Sequence, residues 1–422
     1  MRPVRRVAVV GGGISGLVAA YMLSDRAEVV LYEAAPRLGG HAHTVDAAFG
    51  GKTLAVDTAV VVINDRTYPL FLRLLKHLEI DLVRTNMALS VRDDVRRVEF
   101  ATHDPGSFSQ LWRKSFTRLP YQLMWDLPRF SRAAKRYQND PTTSLGEVLD
   151  RHGFGEALTE HVVLPLTATV WSIDFQKCRE MPFSAWWRFV CNHGLATPRD
   201  LPKWYAFPNG TRAYVDKLAQ ILGARVRLSS PVTKIRRTSE AMWVTVNGGE
   251  PERFDEVVCA LHADIAARVI EGATDAEMSA LRSIGFEAND VVLHGDASVL
   301  PKRKKAWSSW NFHMHEQGNG AATVTYHMNQ LQSLPVEEPA LVSLNQTRFI
   351  DPASVRGRFT YDHPRYNAVS LPATQRLLEL SGRDRLHFAG AYLGIGFHED
   401  GVRSAAQIAE RLGVEARYLQ AA

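Results

Sequence analysis

Between Val7 and Leu23 an apolar run passes into a helical pattern through Gly11-x-Gly13-x-x-Gly16, and the following apolar run ends at Glu33. Strand, glycine turn, helix, second strand and closing acid, in that order, make the nucleotide-binding half of a doubly wound α/β fold. Gly11 permits the tight turn, Gly13 lets backbone approach a pyrophosphate, and Gly16 lets the helix pack closely on the strand. The helix N-terminus, which includes Ser15, presents unpaired N–H groups and the positive end of its dipole to phosphate. Glu33 is positioned to accept hydrogen bonds from a ribose hydroxyl. The chain is therefore expected to bind a dinucleotide.

Which dinucleotide is indicated by the segment after Glu33, which reads Arg37-Leu38-Gly39-Gly40-His41 and is followed by Asp57-Thr58. A nicotinamide enzyme has no need of this second glycine pair. The segment is similar to the R-x-G-G-R stretch of the flavin amine oxidase superfamily, whose backbone runs beside the pyrophosphate and flavin. Phe388 to Tyr392 and His398 to Ala405 resemble that superfamily's closing motif. The resemblance implies FAD, held by Gly11, Gly13, Ser15, Gly16, Glu33, Gly39, Gly40, Gly390, Gly401 and Val402. Free N–H groups at Gly401 and Val402 are expected to face the flavin N1 and C2 carbonyl, where charge accumulates on reduction. His41 stands where the superfamily has a pyrophosphate-binding arginine, and Val232 begins a strand resembling the one that brackets the adenine. No cysteine or tyrosine sits in a recognisable attachment motif, so the flavin is expected to be noncovalent.

A closer resemblance runs the length of the chain. GGHAHTVD from Gly39, INDRTYP from Ile63, Trp171-Ser172, NHGL from Asn192, VVLHGD from Val291 and AWSSWNF from Ala306 carry it. TYHMNQLQ from Thr325, DHP from Asp362 and GAYLGIGFHEDGVRSA from Gly390 complete it. These motifs resemble a bacterial family of FAD-binding oxidoreductases encoded beside cyclopropane-fatty-acid-synthase-type methyltransferases. That family resemblance implies a fatty acyl or phospholipid substrate, a methyltransferase partner, and dehydrogenation (desaturation) of a methylated or unsaturated acyl chain. In one place the chain departs from it: the family carries Gly-Phe after Asp-Thr, and this chain has Ala59-Val60.

The expected architecture is α/β, a Rossmann-like FAD domain intertwined with an α+β substrate domain of amine oxidase type. Residues 1–69, 205–264 and 376–422 are assigned to the FAD domain, and 70–204 and 265–375 to the substrate domain. Pro231 to Ile235, Trp243 to Val246 and Phe254 to Ala260 alternate as strands, after a turn at Phe207-Pro208-Asn209-Gly210. The first substrate segment reads as mostly helical, and the second carries strands near Val291 to His294 and Thr323 to Met328. A chain of 422 residues, 45% hydrophobic and 23% charged, has ample material for two cores. Cys178, Cys191 and Cys259 show no metal spacing and read as buried thiols of a reducing, cytoplasmic compartment. No uncharged run is long enough to span a bilayer.

Charge is concentrated between Leu111 and Tyr137, where seven Lys and Arg residues oppose the single acid Asp126 among many aromatics. The stretch reads either as a helical pair with a solvated basic face or as a peripheral contact with the inner membrane face. No nucleic-acid module accompanies it. Lys302 to Lys305, before Trp307 and Trp310, admits the same two readings.

Flavin chemistry needs a substrate C–H held against N5, a base for a departing proton, and exclusion of water. His398 is the first candidate for proton transfer, because imidazole titrates near the operating pH. Glu399 is second, since burial has to raise its pKa. The other reading of His398 is a hydrogen bond to the flavin or a loop carbonyl. Tyr392 either walls the substrate cavity or presents its hydroxyl. His193, His294, His327 and His363 lack metal-ligand spacing and read as structural. Trp171, Trp186, Trp187, Trp204, Trp307 and Trp310 either line an apolar tunnel or pack the core. Amine oxidation is the alternative activity, requiring two aromatics facing the flavin and, in much of that superfamily, a lysine. A non-catalytic FAD-binding partner of a methyltransferase is the third reading.

Overall fold

The computed structural model describes residues 6–103, 119–171, 173, 175–196, 201–315 and 322–415. Arg6–Val10 is almost wholly buried, as a strand covered on both faces must be. It pairs in parallel with Glu28–Tyr32 on one side and Glu256–Cys259 on the other. Val226–Arg227 and Leu386–Phe388 complete this five-stranded sheet, so distant stretches of chain lie side by side. The glycine helix, Ile14–Leu23, buries nine of its ten residues. It packs against the closing helix, His398–Arg411, and both contribute to one core.

The strand expected over Phe254 to Ala260 divides. Glu252–Phe254 joins an antiparallel sheet with Met242–Val246 and Val232–Arg237, whereas Glu256–Cys259 enters the parallel one. Asp255 makes the break: its carboxylate accepts from the Arg6 N–H at 2.9 Å, and its own N–H donates to the Arg6 carbonyl.

A seven-stranded sheet runs Val355–Pro364, Phe286–His294, Leu341–Leu344, Ala322–His327, Trp310–Met314, Leu89–Asp93, Val98–Ala101. All its pairs are antiparallel except Trp310–Met314 with Leu89–Asp93. The last two strands, with Val83–Thr85, are the exceptions in a first substrate segment whose described residues are mostly helical, as expected. Their apolar residues are too few and too local to show a period without their partners. Helices do follow, among them Leu119–Tyr137 and Phe183–Asn192.

Asp57 ties these layers beneath the cavity. Its buried carboxylate accepts from Thr44 Oγ1 at 2.5 Å, from Thr211 N and Oγ1 at 2.9 and 2.8 Å, and from Gln332 Nε2 at 3.2 Å. Burial still outweighs these donors and pushes its pKa up to about 6. Ala59 and Val60 follow after Thr58, and neither adopts a positive φ. The missing glycine therefore strains nothing.

The basic segment is described from Leu119 onward; Trp112, Arg113, Lys114, Phe116 and Arg118 lie outside the described residues, as does Ser172. Phe130, Ala133, Ala134 and Tyr137 are buried, as a core helix requires. Tyr121, Met124 and Trp125 are exposed, Trp125 by 72%. In the second basic run, Arg303 is ion-paired to Glu99 at 3.0 Å, and Trp307 donates its indole N–H to the Pro301 carbonyl. Cys178 and Cys259 are buried, but Cys191 is exposed on the outward side of its helix, which corrects its reading as a core thiol. No helix among the described residues is long and apolar enough to cross a membrane.

Candidate functional site

A cavity of about 420 Å³ opens between the two glycine loops, the closing helix and the seven-stranded sheet. Gly11, Gly12, Gly13, Ser15, Glu33, Gly39, Gly40 and His41 form one end. Gly11 has φ +110, and a Cβ there would stand 2.5 Å from the Ala260 carbonyl oxygen. Gly16 lies behind the wall, where a Cβ would meet the Gly11 oxygen at 1.8 Å. The loops are stitched together by Gly39 N donating to the Gly12 carbonyl at 2.9 Å. Gly13 has open space where its Cβ would be, and no side chain caps the glycine helix. Its leading N–H groups therefore remain for a ligand.

Glu33 accepts from the N–H groups of Gly12 at 2.6 Å and Ala35 at 2.8 Å, so the carboxylate pins the loop as well as facing the cavity. A carboxylate has lone pairs left for a ribose hydroxyl. Val232 begins its strand two residues beyond Ser230, whose N–H bonds the Glu33 carbonyl at 2.8 Å. It stands at that corner and is not among the cavity-lining residues.

The closing helix differs from expectation. It starts at His398, so Gly401 N already donates to the Phe397 carbonyl at 3.2 Å, and Val402, fully buried, lies in the core. Neither presents a free N–H to a ligand; extra helical residues at the front have consumed them. Gly401 instead allows the two helix N-termini to meet, because a Cβ would sit 2.8 Å from Ile14 and Ser15 side-chain atoms. Asp400 caps this helix by accepting from Ile395 N at 3.0 Å and Phe397 N at 3.2 Å.

Glu399 is also corrected. It faces away from the cavity and accepts from Leu70 N and Phe71 N at 3.1 and 2.9 Å, capping helix Pro69–His77. His398 does line the cavity, but its Nε2 is bonded to the Tyr214 hydroxyl at 2.7 Å, and burial pushes its pKa down to about 4. An imidazole so placed is a weak base at neutral pH. Tyr392 walls the cavity, with its buried hydroxyl unpartnered, and Gly390 lines it alongside.

The rest of the cavity is apolar. Val61, Val62, Trp310, Tyr326 and Leu331 come from one hydrophobic cluster, and Val170, Phe189 and Phe397 from another that also touches Tyr326. Val60 and Trp204 complete this wall. Trp171 and Trp186 belong to the core, so the tryptophans divide between both readings. His193 is in the wall: Nδ1 donates to the Phe189 carbonyl at 2.9 Å, which leaves the lone pair on Nε2. Its ring lies 3.9 Å from that of Phe189 and stacks on Trp204 at 5.8 Å.

Sequence reasoning missed three features here. His262 and His363 join His41 in the wall, Phe397 lies between the two ends, and Val60 to Val62 add side-chain bulk. The only signal for His363, Trp310 and Tyr326 was their presence in motifs of the resemblance; nothing local gave their address. Elsewhere Asp94, His313 and His315 place three ligand-type atoms within 4.8 Å of one another. Arg92 already grips both Asp94 oxygens, at 2.9 and 3.0 Å, and neutralises the carboxylate.

Residues 14–306 match the family described as Flavin containing amine oxidoreductase. Human amine oxidase [flavin-containing] B is 24% identical over 281 residues, 62% of this chain and 51% of that protein. The chain thus spans about half the length of this curated relative. Cyclohexylamine oxidase from Brevibacterium oxydans IH-35A superposes with a TM-score of 0.69 at 17% identity, covering 97% of this chain and 100% of that one. The CLA-producing fatty acid isomerase from P. acnes superposes at 0.70 with 13% identity, covering 97% and 99%. At such identities the likeness is one of fold. The open Gly13, the uncapped helix and the Glu33 corner fit FAD, the family's cofactor. On the family match, which takes in well over half its length, the chain belongs to the flavin-containing amine oxidoreductases.

Proposed function

We propose that this oxidoreductase dehydrogenates a methylated or unsaturated fatty acyl chain. The observation that carries this reading is the apolar wall: valines, tryptophans, Phe189 and Leu331, with no carboxylate, lysine or arginine among the described residues of that wall, the cavity's Glu33 and Asp362 lying with the glycine loops and the histidines. Each methylene received there contributes about 0.8 kcal/mol, whereas an ammonium would be desolvated without a partner. The fold of a fatty acid isomerase among the neighbours is consistent with such a substrate.

Bound FAD supplies a two-electron hydride acceptor at N5. The substrate loses hydride from one carbon and a proton from its neighbour, leaving a C=C bond, and an external oxidant such as dioxygen takes the electrons onward. Once hydride has departed, the adjacent proton is acidic, so a weak base suffices. His193 Nε2 carries an imidazole lone pair at this end, fixed by the Phe189 carbonyl. Tyr214 holds His398 in place.

The outer face of helix Leu119–Tyr137 supports delivery from a membrane. Tyr121, Met124 and Trp125 occupy its first half, and Arg132, Lys135 and Arg136 continue the same face in its second. Aromatics for the interface followed by cations for the headgroups suit an anionic bilayer. Drawing the chain directly from lipid avoids exposing it to water. A methyltransferase partner is the matching source of methylated chains.

Incubation with methylated or unsaturated acyl phospholipids, followed by mass spectrometry, tests the reaction. Loss of two hydrogens per acyl chain is expected. Unchanged mass beside a double bond that has moved would replace dehydrogenation by isomerisation.

A further inference from the structure

A pyrophosphate diester is a dianion, yet no arginine or lysine is among the described residues lining the cavity. Arg37, near in sequence, spends its guanidinium on its own loop, donating to the carbonyls of Leu38 at 3.2 Å and Gly40 at 2.9 Å. The glycine helix offers the equivalent of about half a positive charge. That leaves most of the ligand's charge unmatched.

Three imidazoles stand where the balance is needed. His41 directly follows Gly40, whose Cβ position lies 3.2 Å from Gly13 Cα, so it adjoins the phosphate-binding loop. Its ring centroid is 5.7 Å from that of His262 and 5.4 Å from that of His363. The cluster draws on the second glycine loop, the start of helix Ala263–Val269 and strand Val355–Pro364. His41 Nε2 donates to the Asp362 carbonyl at 3.0 Å, Asn289 meets His363 Nδ1 at 3.0 Å, and His262 stacks on Phe286 at 4.3 Å.

We propose that His41, His262 and His363 supply the positive charge for the pyrophosphate of FAD, and that cofactor binding draws a proton onto this cluster. Other charges face it from every neighbouring element. Glu33 lies at the glycine end, Asp264 and Asp362 act on His262, His398 acts on His41, and Tyr361 flanks His363. Burial, reinforced by repulsion among the rings, pushes His41 down to about 3 and His363 to about 4, and burial lowers His262 too. The cluster is therefore neutral at neutral pH on its own, and a nearby dianion favours its charged form against the burial and the mutual repulsion that keep it so.

Dilution of the FAD-loaded protein, with released flavin read by its fluorescence, gives Kd directly. FAD itself does not titrate between about pH 6.5 and about pH 8.5, so any slope belongs to the protein. While the bound cluster holds a proton that the free cluster lacks, Kd rises about tenfold per pH unit. Kd is expected to climb with pH over this window. His41→Arg places a permanent charge there and is expected to bind FAD more tightly with a flatter profile; His41→Gln weakens binding at the acid end and also flattens it. His327→Gln, at a residue that is not among those lining the cavity, keeps the parent's slope. A Kd that changes less than about twofold across the window overturns the proposal, as does an undiminished slope in His41→Arg. Protein that carries no flavin at any pH would instead contradict the FAD site itself.

Discussion

At the glycine end of the cavity much of the wall is backbone, with Glu33 and the histidines beside it; at the apolar end it is side chains from at least five separate stretches of chain. Gly11, Gly13, Gly39 and Gly40 act by what they lack, so position along the chain fixes their role. Val60 to Val62, Val170, Phe189, Trp204, Trp310 and Leu331 act by bulk and polarity, and each tolerates exchange within those limits. The first end fits the cofactor, and the acyl specificity proposed above rests on the second.

Substitutions should separate the ends, and the largest effect is expected behind the glycine loop. Gly16→Val puts a side chain into the Gly11 carbonyl, where the Cβ alone would lie 1.8 Å away. We expect a destabilisation of about 3 kcal/mol or more and colourless protein, measured by thermal melting and flavin absorbance. Retained yellow colour with a parent-like Tm would break the backbone account. At the other end, Val60→Asp should leave FAD bound while kcat/KM for the acyl substrate falls through about 2 kcal/mol of unpaired charge burial. If both FAD and turnover are lost together, the two ends are not independent.

Glu33→Ala removes a partner from Gly12 and Ala35 as well as from the ribose, and should weaken FAD by about 1–3 kcal/mol in a binding titration. Acid should destabilise the fold more gradually. His193, His294, His313 and His398 are held near 4 by burial, against about 6.5 in an unfolded chain. Their contribution is present above about pH 6.5 and is lost as pH falls through about 4. Asp57, raised to about 6, works the opposite way as pH falls from there toward its unfolded value, as do Glu399 and Asp400, both raised by burial, but the lowered imidazoles outnumber these carboxylates. Tm should fall from neutral pH to about pH 4.5; a rise would show that the carboxylates dominate.

The smallest effect belongs to His398→Ala. It loses the Tyr214 hydrogen bond, costing about 1 kcal/mol of stability, and should slow flavin reduction less than His193→Asn does. The reverse ranking would restore His398 as the base. On the outer helix, changing Arg132, Lys135 and Arg136 to Glu should reduce sedimentation with anionic liposomes and leave turnover of a detergent-dispersed substrate intact. Equal sedimentation would remove the membrane contact.

The contrast also explains what the sequence could tell. Glycine spacing, the acid at Glu33 and the apolar strands announced the dinucleotide fold, because backbone geometry leaves few residue choices. His398 and Glu399 lay next to the right helix end, but a turn's difference in its start gave Gly401 and Val402 to the helix and Glu399 to a neighbouring cap. Strands Leu89–Asp93 and Val98–Ala101 find their partners more than two hundred residues away, at Trp310–Met314, or in each other. The three-histidine cluster likewise exists only after folding, since His41, His262 and His363 share no local pattern.

The central claim is that the apolar end selects an acyl chain for oxidation by the flavin. Anaerobic mixing of the FAD-loaded protein with two panels, methylated or unsaturated acyl lipids and primary or secondary amines, tests it most directly. The account predicts bleaching of the oxidised flavin band by members of the acyl panel, without added nicotinamide, and none by amines. Bleaching by amines alone would contradict it.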